Sequence, residues 1–276
     1  MIASDPLVRG ARLISTALIV GVGISIVIFT IQMWSVDDVG AYLGAAHRLL
    51  NGQPLYPATG DIDGGEVYRY SPWFAVAWIP FTLLPAPMVT VVWEIVLAAA
   101  AMYVAWRLIR LNAHLLLALV GPIMLDSVSD GNVHVLLLAG LLRTAAGRWG
   151  PLCIAAAASL KAVPLLLILV YVGRGEWRRV AATLAITALL VAPMLAFDLT
   201  NYTTSPGSFS LLYGTVAYVP IAIAAAAVTV LLGRSRFGWL AAATAMVVTI
   251  PRFLLYDLTF LSLGVVGVDQ QDVPRQ

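Results

Sequence analysis

Long apolar stretches recur along this chain from about residue 12 to residue 268, and short polar segments separate them. The composition is 61% hydrophobic and only 11% charged, whereas about half of a soluble globular domain is apolar. About 20 apolar residues in a helix are enough to cross the hydrocarbon core of a bilayer. The sequence therefore predicts an all-α polytopic membrane protein, a single domain over residues 1–276 with about eight to ten membrane helices.

Basic residues near the apolar stretches predict the orientation of the chain. Arg9 and Arg12 precede the first stretch, which runs past twenty residues with no cleavage site after it, so we expect a retained helix and a cytoplasmic N-terminus. Residues 71–84 are few for a span, and Lys161 interrupts residues 151–172. If 71–84 do not cross and 151–172 form a hairpin, twelve of the sixteen basic residues lie inside. Single crossings would divide them about evenly, so we favour the hairpin.

The most polar interval, residues 34–73, holds five of the fourteen acidic residues. It belongs to a predicted extracytoplasmic loop, residues 35–87, in which 37–50 carry apolar residues at helical spacing and predict a helix on the membrane surface. In this topology nine of the fourteen acids share the outer face of the plasma membrane. Any chemistry is therefore expected on that face.

Asp38 is the candidate general base in this loop. It stands four residues before Tyr42, so both side chains share a helix face near the lipid boundary, where partial burial raises the pKa of a carboxyl group. The alternative is a structural role, in which Asp37 or Asp38 only caps the helix.

Lys161 is the only lysine in the chain and lies between two apolar halves. A charge at membrane depth is costly and marks a candidate functional site, here for an anionic phosphate. Alternatively, the side chain reaches from a short helix to the membrane surface. Arg69 and Arg252 are candidate helpers in phosphate binding, although Arg252 and Asp257 could simply pair with each other.

A further polar group, Asp126, Asp130 and His134, follows a spacing of four residues. That spacing could place all three along one edge, as a metal site requires, but Gly131 favours a break between two helices. Contact with sugar hydroxyls or with the acceptor is the favoured role, and no metal or other cofactor is expected.

Several short motifs occur in one order along the chain, and their letters are DVGAY, AAHRLLNGQPLY, YRYSPW, DGNVH, SLKAVP, RGEWRR and PRFLLYDL. Together they resemble glycosyltransferase family 87, a group of the GT-C superfamily that includes mycobacterial mannosyltransferases. Two departures accompany the resemblance. This chain has Gly131-Asn132-Val133-His134 where the family often reads Gly-Gln-x-Asn, and it is shorter than most members after Phe197.

The resemblance implies a GT-C-like helix bundle, a polyprenyl-phosphate mannose donor and Asp38 as the catalytic aspartate. The expected function is inverting transfer of a hexose, with mannose favoured, to a lipid or glycan acceptor of the cell envelope. Lys161, Arg69 and Arg252 are assigned to the donor phosphate. The residues assigned to substrate binding are Tyr42, Tyr70, Asp126, Asp130, Asn132, His134, Tyr256 and Asp257.

Two other functions fit the same composition. A transporter is the first, and Glu94, in the middle of an apolar stretch, is the residue that favours it. However, no internal repeat is visible, and the polar groups collect at one face. A protein that binds lipid-linked sugar without catalysis is the second.

Overall fold

The computed structural model describes residues 17, 20, 21, 23–28, 30–58, 67–202, 214–250 and 253–269. Helices form the regular structure of these residues, and no strand occurs among them. The α-helices are α1 (Gly23–Gln32), α2 (Asp37–Leu50), α3 (Pro72–Trp78), α4 (Ala86–Arg110), α5 (His114–Ser129), α6 (His134–Thr144), α7 (Gly150–Leu160), α8 (Ile168–Arg174), α9 (Trp177–Val191), α10 (Gly214–Leu232), α11 (Gly238–Thr249) and α12 (Val266–Asp269). The 3-10 helices are Ile79–Leu83, Val163–Leu167, Ala192–Ala196 and Leu255–Val265. The predicted all-α polytopic membrane fold is confirmed.

Two of the described helices are long and apolar enough to cross a membrane, namely α4 and Trp177–Ala196, which joins α9 to the 3-10 helix after it. A third span exists if α1 and α2 count as one, although they are bent by 49°. Eight further apolar helices have 10–17 residues. Helices this short cannot each cover a ~30 Å core at 1.5 Å per residue. The predicted total of eight to ten spans stays a prediction.

Helix α4 shows how the apolar sequence forms a membrane helix. Pro87 lies in its first turn, where a missing N–H costs nothing, and Arg107 and Arg110 lie in its last turn, where positive charge is favourable. One face is buried at spacings of three and four residues, with Val89, Trp93, Leu97, Ala100, Val104 and Leu108. The opposite face exposes large apolar side chains, as a lipid-facing surface does.

Helix α2 has the bounds that its apolar spacing predicts. Its buried face is Val39, Ala41, Tyr42, Ala45 and Ala46, and it packs against α3 and the 3-10 helix that follows α3. The segment 71–84 therefore packs on α2, and the prediction that it does not cross the membrane stays a prediction.

Residues 150–174 fold back on themselves as a hairpin. Helix α7 ends at Lys161, and the chain returns through Val163–Leu167 and α8, so that Tyr171 comes to lie beside the start of α7. A Cβ atom on Gly150 would overlap the Tyr171 hydroxyl, so only glycine fits at this contact. Arg179 donates to the carbonyl oxygen of Ala146 across 3.2 Å, which places the next helix on the same end. Residues 150–174 therefore have the shape of the hairpin that the charge count favours, and the side of the membrane on which its ends lie stays a prediction.

The C-terminal helix Leu255–Val265 differs from expectation, because the sequence predicts an ordinary membrane helix here. Eleven residues form a 3-10 helix, which has three residues per turn. Side chains three apart therefore eclipse one another, and two of the three resulting rows are buried. These rows are Tyr256, Thr259 and Ser262, and Asp257, Phe260 and Leu263. The tighter winding aligns polar groups that an α-helix would spread around its surface.

Candidate active site

The turn at residues 129–134, between α5 and α6, positions the site. The backbone N–H of Val36 donates to Ser129 O (2.8 Å), and that of Asp38 donates to Asp130 O (3.1 Å), so the start of α2 is joined to the turn. The Trp93 indole N–H donates to Gly131 O across 2.7 Å and joins α4 to it as well. Helices α2 and α4 therefore both contact the turn that connects α5 to α6.

Asp38 lies partly exposed in the first turn of α2. The capping role is absent, because Val36 occupies the N-cap position and no side chain makes a capping hydrogen bond. Instead, Asp38 Oδ2 accepts hydrogen bonds from the Tyr42 hydroxyl (3.4 Å) and from Asn132 Nδ2. Asp38 is thus held by side chains from two different elements.

Aromatic rings pack around Tyr42, whose hydroxyl contacts this carboxylate. Tyr42 has no exposed surface, and the rings of Tyr70, Phe74, Trp78 and Trp93 surround it at centroid distances of 4.9–6.1 Å. Such a setting withholds water from the carboxylate. Burial accordingly raises the pKa of Asp38 to about 6.

Positive charge and hydrogen bonds limit this rise. Lys161 contributes most, followed by the Asn132 and Tyr42 hydrogen bonds and then Arg69, and all of them favour the ionised form of Asp38. The pKa of Tyr42 lies well above its usual range because of burial and of the neighbouring Tyr70 and Asp38. The Tyr42 hydroxyl therefore stays protonated and can donate.

Lys161 leaves the end of α7 and enters a buried ion pair. Its Nζ atom lies 3.5 Å from Asp257 Oδ1, 3.4 Å from His134 Nδ1 and 4.4 Å from the centre of the Tyr256 ring. Asp257 is 1% exposed, whereas the Lys161 side chain is 17% exposed. The lysine is therefore the accessible member of the pair, and its partner holds it from inside the bundle.

The 3-10 helix Leu255–Val265 determines how Asp257 and His134 are used. Asp257 Oδ2 accepts from the Leu254 N–H (2.9 Å), which leaves Oδ1 for Lys161. The Thr259 hydroxyl lies 2.7 Å from Tyr256 O and 2.8 Å from His134 Nε2. His134 Nδ1 lies 3.4 Å from Lys161 Nζ and 3.5 Å from Asp257 Oδ1, so the imidazole ring contacts both members of the ion pair. Asp257 pairs with Lys161, whereas Arg252 lies outside the described residues, so the alternative of an Arg252–Asp257 pair is not tested.

Residues 68–73, which carry the motif YRYSPW, connect the surroundings of Asp38 with those of Lys161. Three tyrosine hydroxyls donate hydrogen bonds to the successive carbonyl oxygens of residues 69–71, at distances of 2.7–3.1 Å. The donors are Tyr202, Tyr56 and Tyr68, in the order of the carbonyls. From this segment Ser71 Oγ donates to Ser159 O (2.5 Å), and Trp73 Nε1 to Ser159 Oγ (3.0 Å). Ser159 precedes Lys161 by two residues. Residues 68–73 are called the brace below, and the sequence gives no signal for these contacts.

The remaining predicted residues lie farther out. Asp126 and Asp130 are partly buried, and the pKa of Asp130 rises to about 6 because of burial and of the neighbouring Asp126, Asp38 and Asp37. His134 points to Thr259 instead of joining them. Within the described part of the chain, no three His, Cys, Asp or Glu side chains form a group that could hold a metal ion.

Glu94 lies outside this cluster, and its Oε1 accepts from the Trp34 indole N–H across 2.9 Å. Its polar group is thus satisfied by a neighbouring aromatic residue. This contact explains the glutamate without a transport role.

The fold and the site together define a polytopic helical membrane protein with a carboxylate and an ion-paired lysine inside its bundle. The model of the family described as Glycosyltransferase family 87 matches residues 68–205, half of the chain. The chain belongs to this family and is a membrane glycosyltransferase. The match contains Tyr70, Asn132, His134 and Lys161, whereas Asp38 lies outside it. No curated protein and no solved structure matches the chain.

Gly131→Ala tests whether the turn positions Asp38. Gly131 has φ +70°, and an added Cβ would lie 3.0 Å from Val36 Cγ1 and 3.1 Å from Val39 Cγ2, at the start of α2. Displacing this start by a few tenths of an ångström misplaces Asp38, so we expect kcat for glycosyl transfer to fall about tenfold or more.

The matched control is Gly52→Ala. Gly52 has φ +65° but nothing lies within 4 Å of its added Cβ, so this variant carries the backbone strain alone. It should lose stability and retain kcat. Equal kcat losses in the two variants would show that strain, and not the contact with α2, affects the site.

Proposed function

We propose that this glycosyltransferase moves a hexose, with mannose as the first candidate, from a polyprenyl-phosphate donor to a lipid or glycan acceptor. The reaction takes place at the extracytoplasmic face of the plasma membrane, with the N-terminus in the cytoplasm. The observation that carries the proposal is that one site contains a partly exposed carboxylate, Asp38, and an accessible ammonium group, Lys161. The charge of Lys161 favours the ionised form of Asp38. Transfer to a hydroxyl from a phosphate leaving group needs one base and one site of positive charge.

Asp38 is the base in this mechanism. A base whose pKa is near 6 is ionised at neutral pH and still accepts a proton as the acceptor oxygen forms its new bond. The acceptor oxygen attacks the anomeric carbon opposite the phosphate, and the electron pair of the breaking C–O bond goes to the phosphate. The hydroxyl proton passes to Asp38, and the configuration at the anomeric carbon inverts.

Lys161 supports the leaving group. The phosphate gains one negative charge as the bond to the sugar breaks, and a fixed ammonium group stabilises that charge with little reorganisation. Asp257 and His134 already hold the Lys161 side chain from inside, so its remaining N–H bonds can reach a ligand. Arg69 adds charge on the same side, since it also favours the ionised form of Asp38. We expect the reaction to need no metal ion.

The direct test follows radiolabelled mannose from polyprenyl-phosphate mannose into a membrane lipid extract, with EDTA present. We expect the purified wild type to transfer label and Asp38→Asn to lose at least about 10³-fold of that rate while binding donor normally. Asp37→Asn, a change of the exposed neighbouring carboxylate, is the control and should remain active. Transfer by Asp38→Asn would reject Asp38 as the base, and failure of the wild type to transfer any tested sugar would reject the donor class.

The pH dependence of kcat/KM provides an independent test. Below the pKa of about 6 the carboxyl group of Asp38 is protonated and cannot accept a proton. The rate should therefore rise about tenfold per pH unit up to pH 6 and level off above it. A rate independent of pH from 4.5 to 7 would contradict this role.

The role of Lys161 is tested with Lys161→Met, Asp257→Asn and the double variant. Lys161→Met leaves the buried Asp257 charge unpaired and should destabilise the protein by about 3 kcal/mol. The double variant removes both charges, and the amide oxygen of the new asparagine side chain can still accept from the Leu254 N–H, so stability should recover. If Lys161 binds the donor phosphate, kcat/KM stays about 10²-fold low in the double variant. Recovery of transfer together with stability would assign Lys161 to folding alone.

A further inference from the structure

The two oxygens of the Asp38 carboxylate have different surroundings. Oδ2 accepts from the Tyr42 hydroxyl and from Asn132 Nδ2. No group among the residues that the structure describes donates a hydrogen bond to Oδ1. A carboxylate of this kind has one occupied oxygen and one available oxygen.

The orientation of the Asn132 amide follows from the backbone. The His134 N–H donates to Asn132 Oδ1 across 3.0 Å, and since a backbone N–H can only donate, the oxygen of the amide must face it. The Nδ2 group must then face Asp38, and it also lies 3.4 Å from the Tyr70 hydroxyl and 3.3 Å from that of Tyr256. The amide therefore cannot turn over without losing this backbone contact.

The Tyr42 hydroxyl is oriented in the same way. It accepts from the Val133 N–H at 3.2 Å, which directs its own proton to Asp38 Oδ2 or to the Tyr70 hydroxyl, each 3.4 Å away. A carboxylate is the stronger acceptor of the two. Two consecutive backbone amides of the 129–134 turn thus orient both donors to the same oxygen.

Neither donor is available to a substrate. Asn132 is 6% exposed and Tyr42 is 0% exposed, whereas Asp38 is partly exposed. Sequence analysis assigns both residues to substrate binding, but their burial and their hydrogen bonds direct them to Asp38.

We propose that Asn132 is a positioning residue that holds Asp38 Oδ2, so that Oδ1 is the oxygen that takes the proton from the acceptor hydroxyl. This inference rests on the proposed role of Asp38 as base. The proton leaves the acceptor oxygen and bonds to Oδ1 as that oxygen bonds to the sugar. Asn132 holds Oδ2, which leaves Oδ1 to accept the proton, and by donating to Oδ2 it favours the ionised carboxylate.

Asn132→Asp tests the proposal, because it keeps the shape and the acceptor for the His134 N–H and replaces the donor with a second carboxylate. Among the residues that the structure describes, the charged and titratable groups that face Asp38 are Lys161, Arg69, Asp130, Tyr42, Tyr70 and Tyr256. A new negative charge against Oδ2 should move the acidic limb of the kcat/KM profile to a pH about 1 to 2 higher. Activity lost at pH 6 should then return in part at pH 8.

The control is Asn51→Asp, the same substitution at the exposed end of α2. It adds the same net charge to the protein and should leave the limb in place. A variant with a damaged structure would lose the same fraction of its activity at every pH, and the acidic limb of its kcat/KM profile would stay where it is in the wild type. A uniform loss in Asn132→Asp, or wild-type behaviour, would therefore overturn the positioning role.

Tyr42→Phe completes the test if Asn132→Asp does not fold. It removes one of the two donors to Oδ2 and keeps the ring, so kcat should fall about tenfold, with donor KM unchanged and the limb shifted in the same direction. An unmoved limb would overturn the proposal. Failure of the proposed base itself is distinguishable, because Asp38→Asn would then be active whatever the Asn132 and Tyr42 variants do.

Discussion

The hydrogen bonds between the first turn of α2 and the 129–134 turn are the contacts on which the site depends. They form between backbone atoms, Val36 N–H with Ser129 O and Asp38 N–H with Asp130 O, so they fix where α2 begins whatever its side chains are. Gly131 is needed between them because its positive φ and missing Cβ let α2 approach. In the same turn, the backbone N–H groups of Val133 and His134 orient Tyr42 and Asn132 respectively. One short turn therefore determines both the position and the orientation of Asp38.

A second constraint is the cost of placing charges inside an apolar bundle. Asp257 is 1% exposed, and its charge is compensated there by Lys161, 3.5 Å from Oδ1, and by the Leu254 N–H, which donates to Oδ2. The 3-10 winding of Leu255–Val265 also contributes, since three residues per turn bring Tyr256 and Thr259 to one side. There, Thr259 contacts His134 Nε2 across 2.8 Å, and the centre of the Tyr256 ring lies 4.4 Å from the Lys161 ammonium group. The lysine is thereby held at the surface of the cluster, with its charge only partly compensated.

Sequence reasoning identified most of the residues that meet at the site, because charges and amides are rare in a chain this apolar. It also predicted the bounds of α2, since a surface helix has one apolar and one polar face that spacing reveals. It could not predict the 3-10 helix, because an apolar run carries no signal for three residues per turn as opposed to 3.6. Nor could it separate Asn132 and Tyr42 from substrate contacts, since burial and amide orientation depend on tertiary structure. The motif YRYSPW drew attention to the brace, but its contacts were not predicted, because a sequence does not show which backbone carbonyls accept from the hydroxyls of Tyr56 and Tyr202.

The brace joins two separately built groups that act together in the proposed reaction. Asp38 is held by α2 and the 129–134 turn, whereas Lys161 is held by α7 and Leu255–Val265, and an error in either position would separate the proposed base from the proposed phosphate site. Tyr70 contacts Asn132 and Tyr42, which hold Asp38. Ser71 and Trp73 donate hydrogen bonds to Ser159, two residues before Lys161. Because these residues are adjacent in the chain, the span between the two groups is set by covalent geometry and a few hydrogen bonds. Small changes of position strongly affect rates when two groups must act together, so the segment that joins them matters as much as the residues that react.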